Sequence, residues 1–318
     1  MKLLVIGDLH GRKPIIKNKD FDALILAGDI CDDRKIAPFY KKFFKLIKNK
    51  DFDEDFDEWL IREIGKKRLK EYEKESVNIG RKTLKYIDSF GKPIFMVAGN
   101  WDQSYGKSRI KSPEDYYSHM RCAYDLWLGD KINPSLTKGI KNLNNCMFKC
   151  IEFKGIKNLN NCMFKCIEFK GINFIGYGLS SAPEKPNKKF LKKIKDKEAK
   201  SLKKSYKKIL DKLNTAYKER KNKKLPTLFI THNIPYNTKL DTCKDKESYA
   251  YKKHLGSTIA RTFCEKFRPL ICTGGHVHEG KGKDKIGKTT IINPGYGKQA
   301  QILIEINEKK KIKKIEFL

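Results

Sequence analysis

Apolar residues along this chain follow two rhythms. Five short runs end in a residue that can hold a metal: LLVIGD at Asp8, LILAGD at Asp29, IFMVAGN at Asn100, LFITH at His232, and LICTGGHVH at His276 and His278. Such runs read as strands. Two other stretches carry apolar residues at helical intervals among many charges. In 39–90 these include Phe43, Phe44, Leu46 and Ile47, then Trp59, Leu60, Ile64 and Leu69. In 183–224 they are Leu191, Ile194, Leu202, Tyr206, Ile209, Leu213 and Tyr217. Both are expected to form amphipathic helices against a sheet. The acidic run at 51–58 suits the start of a helix, and it lacks the glycine and closing Glu of a calcium loop.

Between the two helical stretches lies a perfect tandem repeat. GIKNLNNCMFKCIEFK fills 139–154 and again 155–170. Two copies do not make a solenoid. The second copy runs on into GINFIGYG and is expected to carry the strand pairing, the first standing as an extra hairpin strand or loop. The repeat also produces CxxxC twice. On a strand, residues i and i+4 lie about 13 Å apart, too far to share one zinc without a bend.

Composition narrows the class. At 318 residues and 39% hydrophobic content the chain can bury one substantial core, so a single domain over 1–318 is expected, with a helical insertion at 39–90. It holds no apolar stretch of membrane-spanning length and no signal-peptide core, so a cytoplasmic protein with no membrane partner is expected. Nine cysteines are read as reduced thiols, four of them belonging to the repeat. The net charge is +32, and residues 183–224 alone hold 18 Lys or Arg against 5 Asp or Glu. That face is either a solvated cover for the sheet or an arm that contacts a polyanion.

The strand-terminal residues carry the chemistry. Ligands of α/β sheets bind beyond the carboxyl ends of the strands. Asp8, His10, Asp29, Asn100, His232, His276 and His278 form a nitrogen and oxygen donor set without thiolate. It suits Mn first, with Fe, Zn or Ni as alternatives. Seven ligands are too many for one ion with an open position. With one shared carboxylate they divide between two ions, which about 3.5–4 Å apart clamp an in-line displacement at phosphorus and sharpen a bridging water into the nucleophile. Four of the six histidines stand in this set.

DLH, GD, GN, H and GHVH, in this order, resemble the calcineurin-like metallophosphoesterase superfamily over nearly the whole chain. THNIPYNTKLD, HLGS and GGHVHEGKGKDKIGKTTIINPG are similar to its small archaeal and bacterial members, whose substrates are mostly unassigned. The resemblance implies an α/β fold, a two-sheet sandwich flanked by helices in four layers. It also implies that Asp8, His10 and His278 hold one metal, that Asn100, His232 and His276 hold the other, and that Asp29 bridges. Asn293-Pro294-Gly295 would close a turn near the site.

One departure bears on mechanism. Many members carry His after the Asn, where it protonates the leaving group or steadies the phosphate. This chain has Trp101, whose indole N–H does not titrate usefully. Asp102 is expected to orient a ligand. His254, in HLGS, is the candidate substitute acid, with a surface or capping role as the alternative; His119 has no motif around it. GKDKIGKT at 282–289 matches a phosphate-binding loop, but TTIINPG after it is strand-forming, so a basic hairpin is expected.

The catalytic set is therefore Asp29, Asn100 and His254. The expected activity is a dinuclear-metal phosphoesterase acting on a phosphate ester, with a diester preferred. The alternatives are a metal-dependent nuclease acting on DNA or RNA and a non-catalytic scaffold that retains the fold. Natural substrate and oligomeric state are not legible in the sequence.

Overall fold

In the computed structural model the first apolar run becomes strand β1 (Lys2–Ile6), whose alternate side chains face different layers. Leu3 and Val5 point into the space between two sheets, and Leu4 and Ile6 meet helix α3 (Lys66–Asp88) at Leu84 and Ile87. Strands covered on both faces need no polar alternation, which is why these runs are continuously apolar. The structure describes residues 1–46, 56–102, 159–162, 164–178, 184–185, 191–192, 196–246 and 250–318.

Strands β2 (Ala23–Leu26), β3 (Ile94–Met96) and β4 (Leu159–Asn161) extend one sheet in parallel from β1. On the other side of β1 lie antiparallel β11 (Gln301–Ile306) and β12 (Ile312–Phe317), giving the order β12-β11-β1-β2-β3-β4. The second sheet runs β5-β6-β7-β8-β10-β9. Its members are β5 (Cys166–Phe169), β6 (Ile172–Tyr177), β7 (Thr227–Asn233), β8 (Ile271–Gly275), β9 (Gly282–Ile286) and β10 (Thr289–Asn293). β6, β7, β8 and β10 are parallel, with antiparallel β5 and β9 at the edges.

Three hydrophobic layers follow. Phe95 of the first sheet stacks on Phe174 of the second at 4.0 Å between ring centroids, within a core shared by both inner faces. The outer face of the second sheet packs on α4 (Asp196–Lys218) through Ile209, Leu213 and Ala216, and on α5 (Thr258–Phe267) through Ile259, Ala260 and Phe263. The result is the expected four-layer α/β/β/α sandwich. At the carboxyl edge the sheets converge: the Ala98 carbonyl stands 2.1 Å from where a Cβ on Gly178 would be, a closeness only glycine permits.

The helical insertion resolves into α1 (Ala37–Leu46), α2 (Phe56–Ile64) and α3. Ile36, Phe43, Trp59 and Leu60 join them in a satellite core, against which Trp101 packs. Residues 51–55 of the acidic run lie outside the described residues, and α2 starts at Phe56. β4 and β5 both come from the second copy of the repeat yet belong to different sheets. The first copy, with Cys146 and Cys150, and His119 lie outside the described residues. The phosphate-loop look-alike is the β9–β10 hairpin, turning at Gly287 with φ +55°. Among the described residues no disulfide is formed, and no helix is long and apolar enough to cross a membrane.

Candidate metal centre

Each parallel strand delivers its polar residue to the same edge. Asp8 and His10 follow β1, Asp29 follows β2, Asn100 follows β3, His232 lies near the end of β7, and His276 and His278 follow β8. Asp8, His10, Asp29 and His232 are all at most 1% exposed. Two groups of potential ligand atoms form there, one from Asp8, His10 and His278 and the other from Asp29, His232 and His276, the atoms within each lying within 4.8 Å of one another. Asn100 joins the second, its Oδ1 at 2.7 Å from His232 Nε2 and 3.1 Å from His276 Nδ1. Asp29 Oδ2 of the second group, 3.4 Å from His232 Nε2, also lies 3.3 Å from His10 Nε2 of the first.

Glycine makes room for the carboxylates. A Cβ on Gly99 would meet Asp29 Oδ1 at 2.1 Å, and one on Gly275 would meet Asp8 Oδ1 at 2.1 Å. Three of the gathered residues adopt left-handed backbone: His10 (φ 44°), Asp29 (φ 53°) and His276 (φ 68°). Such conformations cost about 1–3 kcal/mol each and persist where surrounding structure enforces them, commonly at functional sites.

The ring orientations are set by neighbours. His232 Nδ1 donates to the Ala27 carbonyl at 2.9 Å, so its Nε2 faces inward. His10 Nδ1 lies 2.9 Å from Asp33 Oδ2, turning Nε2 toward Asp29 and His278. Carboxylates and carbonyls in this position fix the tautomer of a ligating imidazole. His278 stacks on Tyr296 at 4.1 Å, and the Arg12 guanidinium lies over that tyrosine ring. Sequence reasoning missed Asp33, Ala27, Tyr296 and Arg12. Of these only Asp33, in the polar DICDD run, offered any signal.

The donors fit a cation. His232 Nε2 in a neutral ring is an acceptor, yet it faces acceptor oxygens on Asn100 and Asp29. Only a proton or a cation between them makes that arrangement favourable. His10 Nε2 and His278 Nε2 are 3.1 Å apart; ligands at right angles around an ion about 2.1 Å away stand about 3 Å apart. Asp8 Oδ1 is buried and has no hydrogen-bond partner among the described residues. Among those residues no Lys or Arg pairs with Asp8 or Asp29; their ion-pair partners are imidazoles.

Titration reflects the same crowding. Burial pushes the Asp8 carboxyl up to about 7, against the pull of His232. Burial works against charge on Asp29 also, but His232, His10 and the Trp101 N–H outweigh it and hold this carboxyl well below its usual range. His232 is raised to about 9, the Asp29 and Asp8 charges overcoming burial. His276 and His278 fall to about 3, through burial and then the neighbouring imidazoles.

Asp102 and Trp101 divide the work of the departing segment. Asp102, wholly buried, accepts from the backbone N–H groups of Ile30 (2.8 Å), Cys31 (3.0 Å) and Gly99 (2.9 Å), fastening the Asp29 loop to the Asn100 loop. Trp101 donates its backbone N–H to Asp29 Oδ1 at 2.8 Å, and its ring packs edge-on to His10 and to Tyr40 of α1. An aromatic wall thus stands where a titratable ring is common.

His254 lies elsewhere in the loops that follow β7. Its Nδ1 is 2.7 Å from Asp241 Oδ1, and the wholly buried Asp241 also accepts from the N–H groups of Asn237, Thr238 and Gly256. About a third of the His254 side chain is exposed. The Leu240 carbonyl beside Asp241 packs on Gly280, two residues beyond His278.

A family model described as calcineurin-like phosphoesterase matches residues 1–280. An uncharacterized protein of Methanocaldococcus jannaschii is 40% identical over 68 residues, 20% of this chain and 29% of that protein, so the match spans under a third of the curated relative's length. One solved crystal structure is similar with a TM-score of 0.52 and 19% identity, covering 100% of this chain and 99% of its own. A crystal structure of TT1561 of Thermus thermophilus has a TM-score of 0.41 and 11% identity, covering 99% and 98% of the two chains.

Proposed function

The chain belongs to the calcineurin-like phosphoesterase family, a family of metal-dependent hydrolases, and from that premise we propose that it cleaves a phosphodiester at a dinuclear centre. One observation carries the reading: Asp29 Oδ2 stands about equally far from one nitrogen of each ligand group, 3.3 Å from His10 Nε2 and 3.4 Å from His232 Nε2. Asp8, His10 and His278 would hold one divalent ion and Asn100, His232 and His276 the other, with Asp29 shared. Mn is the first candidate, with Fe, Zn and Ni as alternatives. When bound, such ions supply Lewis acidity to the ester and lower the pKa of the attacking water.

The protein's own groups do the rest. Asp33 and the Ala27 carbonyl keep the imidazole lone pairs turned inward. Trp101 excludes water beside His10 and contributes no proton. His254 is the proposed proton donor to the leaving group: Asp241 engages Nδ1 and leaves Nε2 for exchange. The diester preference follows from Trp101, since a site lacking the usual His depends more on the leaving group's own acidity.

The test is hydrolysis of bis-p-nitrophenyl phosphate and p-nitrophenyl phosphate by metal-stripped protein after addition of each ion. Stimulated diester cleavage that Asp29→Ala abolishes supports the reading. Metal uptake without hydrolysis of either ester counts against catalysis, and no uptake favours a scaffold. For His254, His254→Gln should spare p-nitrophenyl esters and slow esters of alkyl alcohols about 10²–10⁴-fold; equal losses on both would remove it from the acid role. A second reading, a metal-dependent nuclease, is favoured by the exposed lysines along α4.

A further inference from the structure

Charge is not spread evenly over this basic chain. Residues 183–224 carry 18 Lys or Arg against 5 Asp or Glu, which is 13 of the 32 net charges in 42 residues. Of that excess, α4 carries eight Lys against Asp196, Glu198 and Asp211. Its buried face packs on the second sheet through Ile209, Leu213 and Ala216, so the helical period turns Lys200, Lys203, Lys204, Lys207 and Lys208 outward.

Part of this face is concave. A groove of ≈ 640 Å³ runs along α4, lined by Lys204, Lys207, Lys208, Asp211 and Lys212 on the helix and by Phe164 from the turn before β5. Lys212 Nζ stands 5.3 Å from the Phe164 ring centroid. Phe164 itself is held in left-handed backbone (φ 50°), in the turn that carries the chain from the first sheet to the second.

Past the carboxyl end of the helix sits Arg220, 9% exposed, with Nε and Nη1 buried and lacking hydrogen-bond partners among the described residues. Its guanidinium lies over the Tyr217 ring at 3.2 Å, and Phe267 stacks on Tyr217. Lysines and an aromatic ring border one crevice between α4 and the turn before β5. A solvated helix face accounts for the lysines. It does not account for a half-buried phenylalanine lining a groove among them.

Topology gives the groove a direction. β6 and β7 are parallel, and α4 connects them, so α4 runs antiparallel to both. Its amino-terminal end lies toward the edge where Asp8, Asp29 and His232 gather, and its carboxyl end lies toward the opposite edge. From Lys204 to Lys212 is about 12 Å at 1.5 Å per residue.

We infer that this groove binds single-stranded nucleic acid and leads it toward the metal edge. Lysines spaced along one face track a phosphate backbone, and an aromatic ring in a basic groove serves unpaired bases, which a duplex does not offer. The inference rests on the nuclease reading for turnover only; binding stands without it.

The experiment is fluorescence anisotropy of the full chain with a labelled 12-nucleotide oligothymidylate in EDTA, over a range of salt. A duplex of equal length and polyglutamate serve as comparison ligands. Single-strand affinity should fall with salt at a log–log slope of about −0.7 per phosphate contact. Lys204→Glu, Lys207→Glu and Lys208→Glu together should weaken binding at least ~10-fold and flatten that slope by about 2. The corresponding three Lys→Arg changes should retain it. All three lysines are exposed and outside the metal centre, so hydrolysis of bis-p-nitrophenyl phosphate should be unchanged in both variants. Unaltered affinity in the glutamate variant would overturn the inference. So would polyglutamate or duplex binding as tightly as the single strand. Loss of diester hydrolysis in wild-type protein, with binding intact, would remove the catalytic reading and leave the groove.

Discussion

Asn293 Nδ2 donates to the Val277 carbonyl at 2.9 Å, and Val277 is the residue between His276 and His278. The Asn293 Oδ1 accepts from the Gly295 N–H at 2.8 Å, and the Gly295 carbonyl accepts from the Asp8 N–H. One buried carboxamide at the end of β10 thus joins the turn holding both histidines to the backbone of Asp8.

Replacing it should loosen the centre while the sheets stay formed. Asn293→Ala leaves buried backbone groups unpaired, at about 1–3 kcal/mol. Supporting residues of this kind typically govern 10–100-fold in metal affinity. Competition against a calibrated chelator should show that loss, with circular dichroism unchanged; wild-type affinity would remove Asn293 from the support of the site.

Gly99 tests the closeness of the Asn100 loop to Asp29. Gly99→Ala places a methyl 2.1 Å from Asp29 Oδ1, so either the loop or the carboxylate must move. Metal uptake should drop at least ~10-fold, with an overpacking cost of about 1–3 kcal/mol. Gly91→Ala, where φ is +67° but the space is open, should cost about 1 kcal/mol and spare metal uptake.

Metal should stabilise the folded chain. The buried Asp8 and Asp29 charges repel one another, and ions bound only by the folded state add about 2.7 kcal/mol at a hundredfold excess over Kd. Scanning calorimetry with and without EDTA should show a higher Tm when metal is present. Asp29→Ala should lose most of that increment.

Metal uptake should also release protons. Without metal, His232 is raised to about 9 from its ordinary 6.5, and Asp8 to about 7. A raised folded-state pKa on His232 contributes stability below pH 6.5 that is lost as pH rises through 9, so the metal-free ring is protonated at neutral pH. A cation must displace that proton. Titration calorimetry in buffers of different ionisation enthalpy should show proton release at about pH 6–8 that fades above about pH 10, and apparent affinity should climb with pH until then.

The ends of the strands were legible because parallel strands covered on both faces are continuously apolar, and a metal ligand must carry its donor on its own side chain. Asp8, Asp29, Asn100, His232 and His276 each follow or close such a run, and the run itself says where the residue will sit. Helices α1, α2, α3 and α4 were legible from their apolar period. The absence of a titratable ring at Trp101 was plain from residue identity alone.

What surrounds those donors was decided by tertiary contact. The Ala27 carbonyl that orients His232 is 205 residues away, and Tyr296 stacks on His278 because the turn after β10 meets the turn after β8. The left-handed backbone of His10, Asp29 and His276 was fixed by packing at the strand ends, although Asp and His enter that region more readily than most residues. The repeat shows the division most clearly. Within its second copy, the strands at 159–161 and 166–169 join different sheets, one at the edge of β3 and the other at the edge of β6. Side-chain chemistry and local periodicity travel with the residue, whereas orientation, strain and partnership depend on what distant parts of the chain bring to meet it.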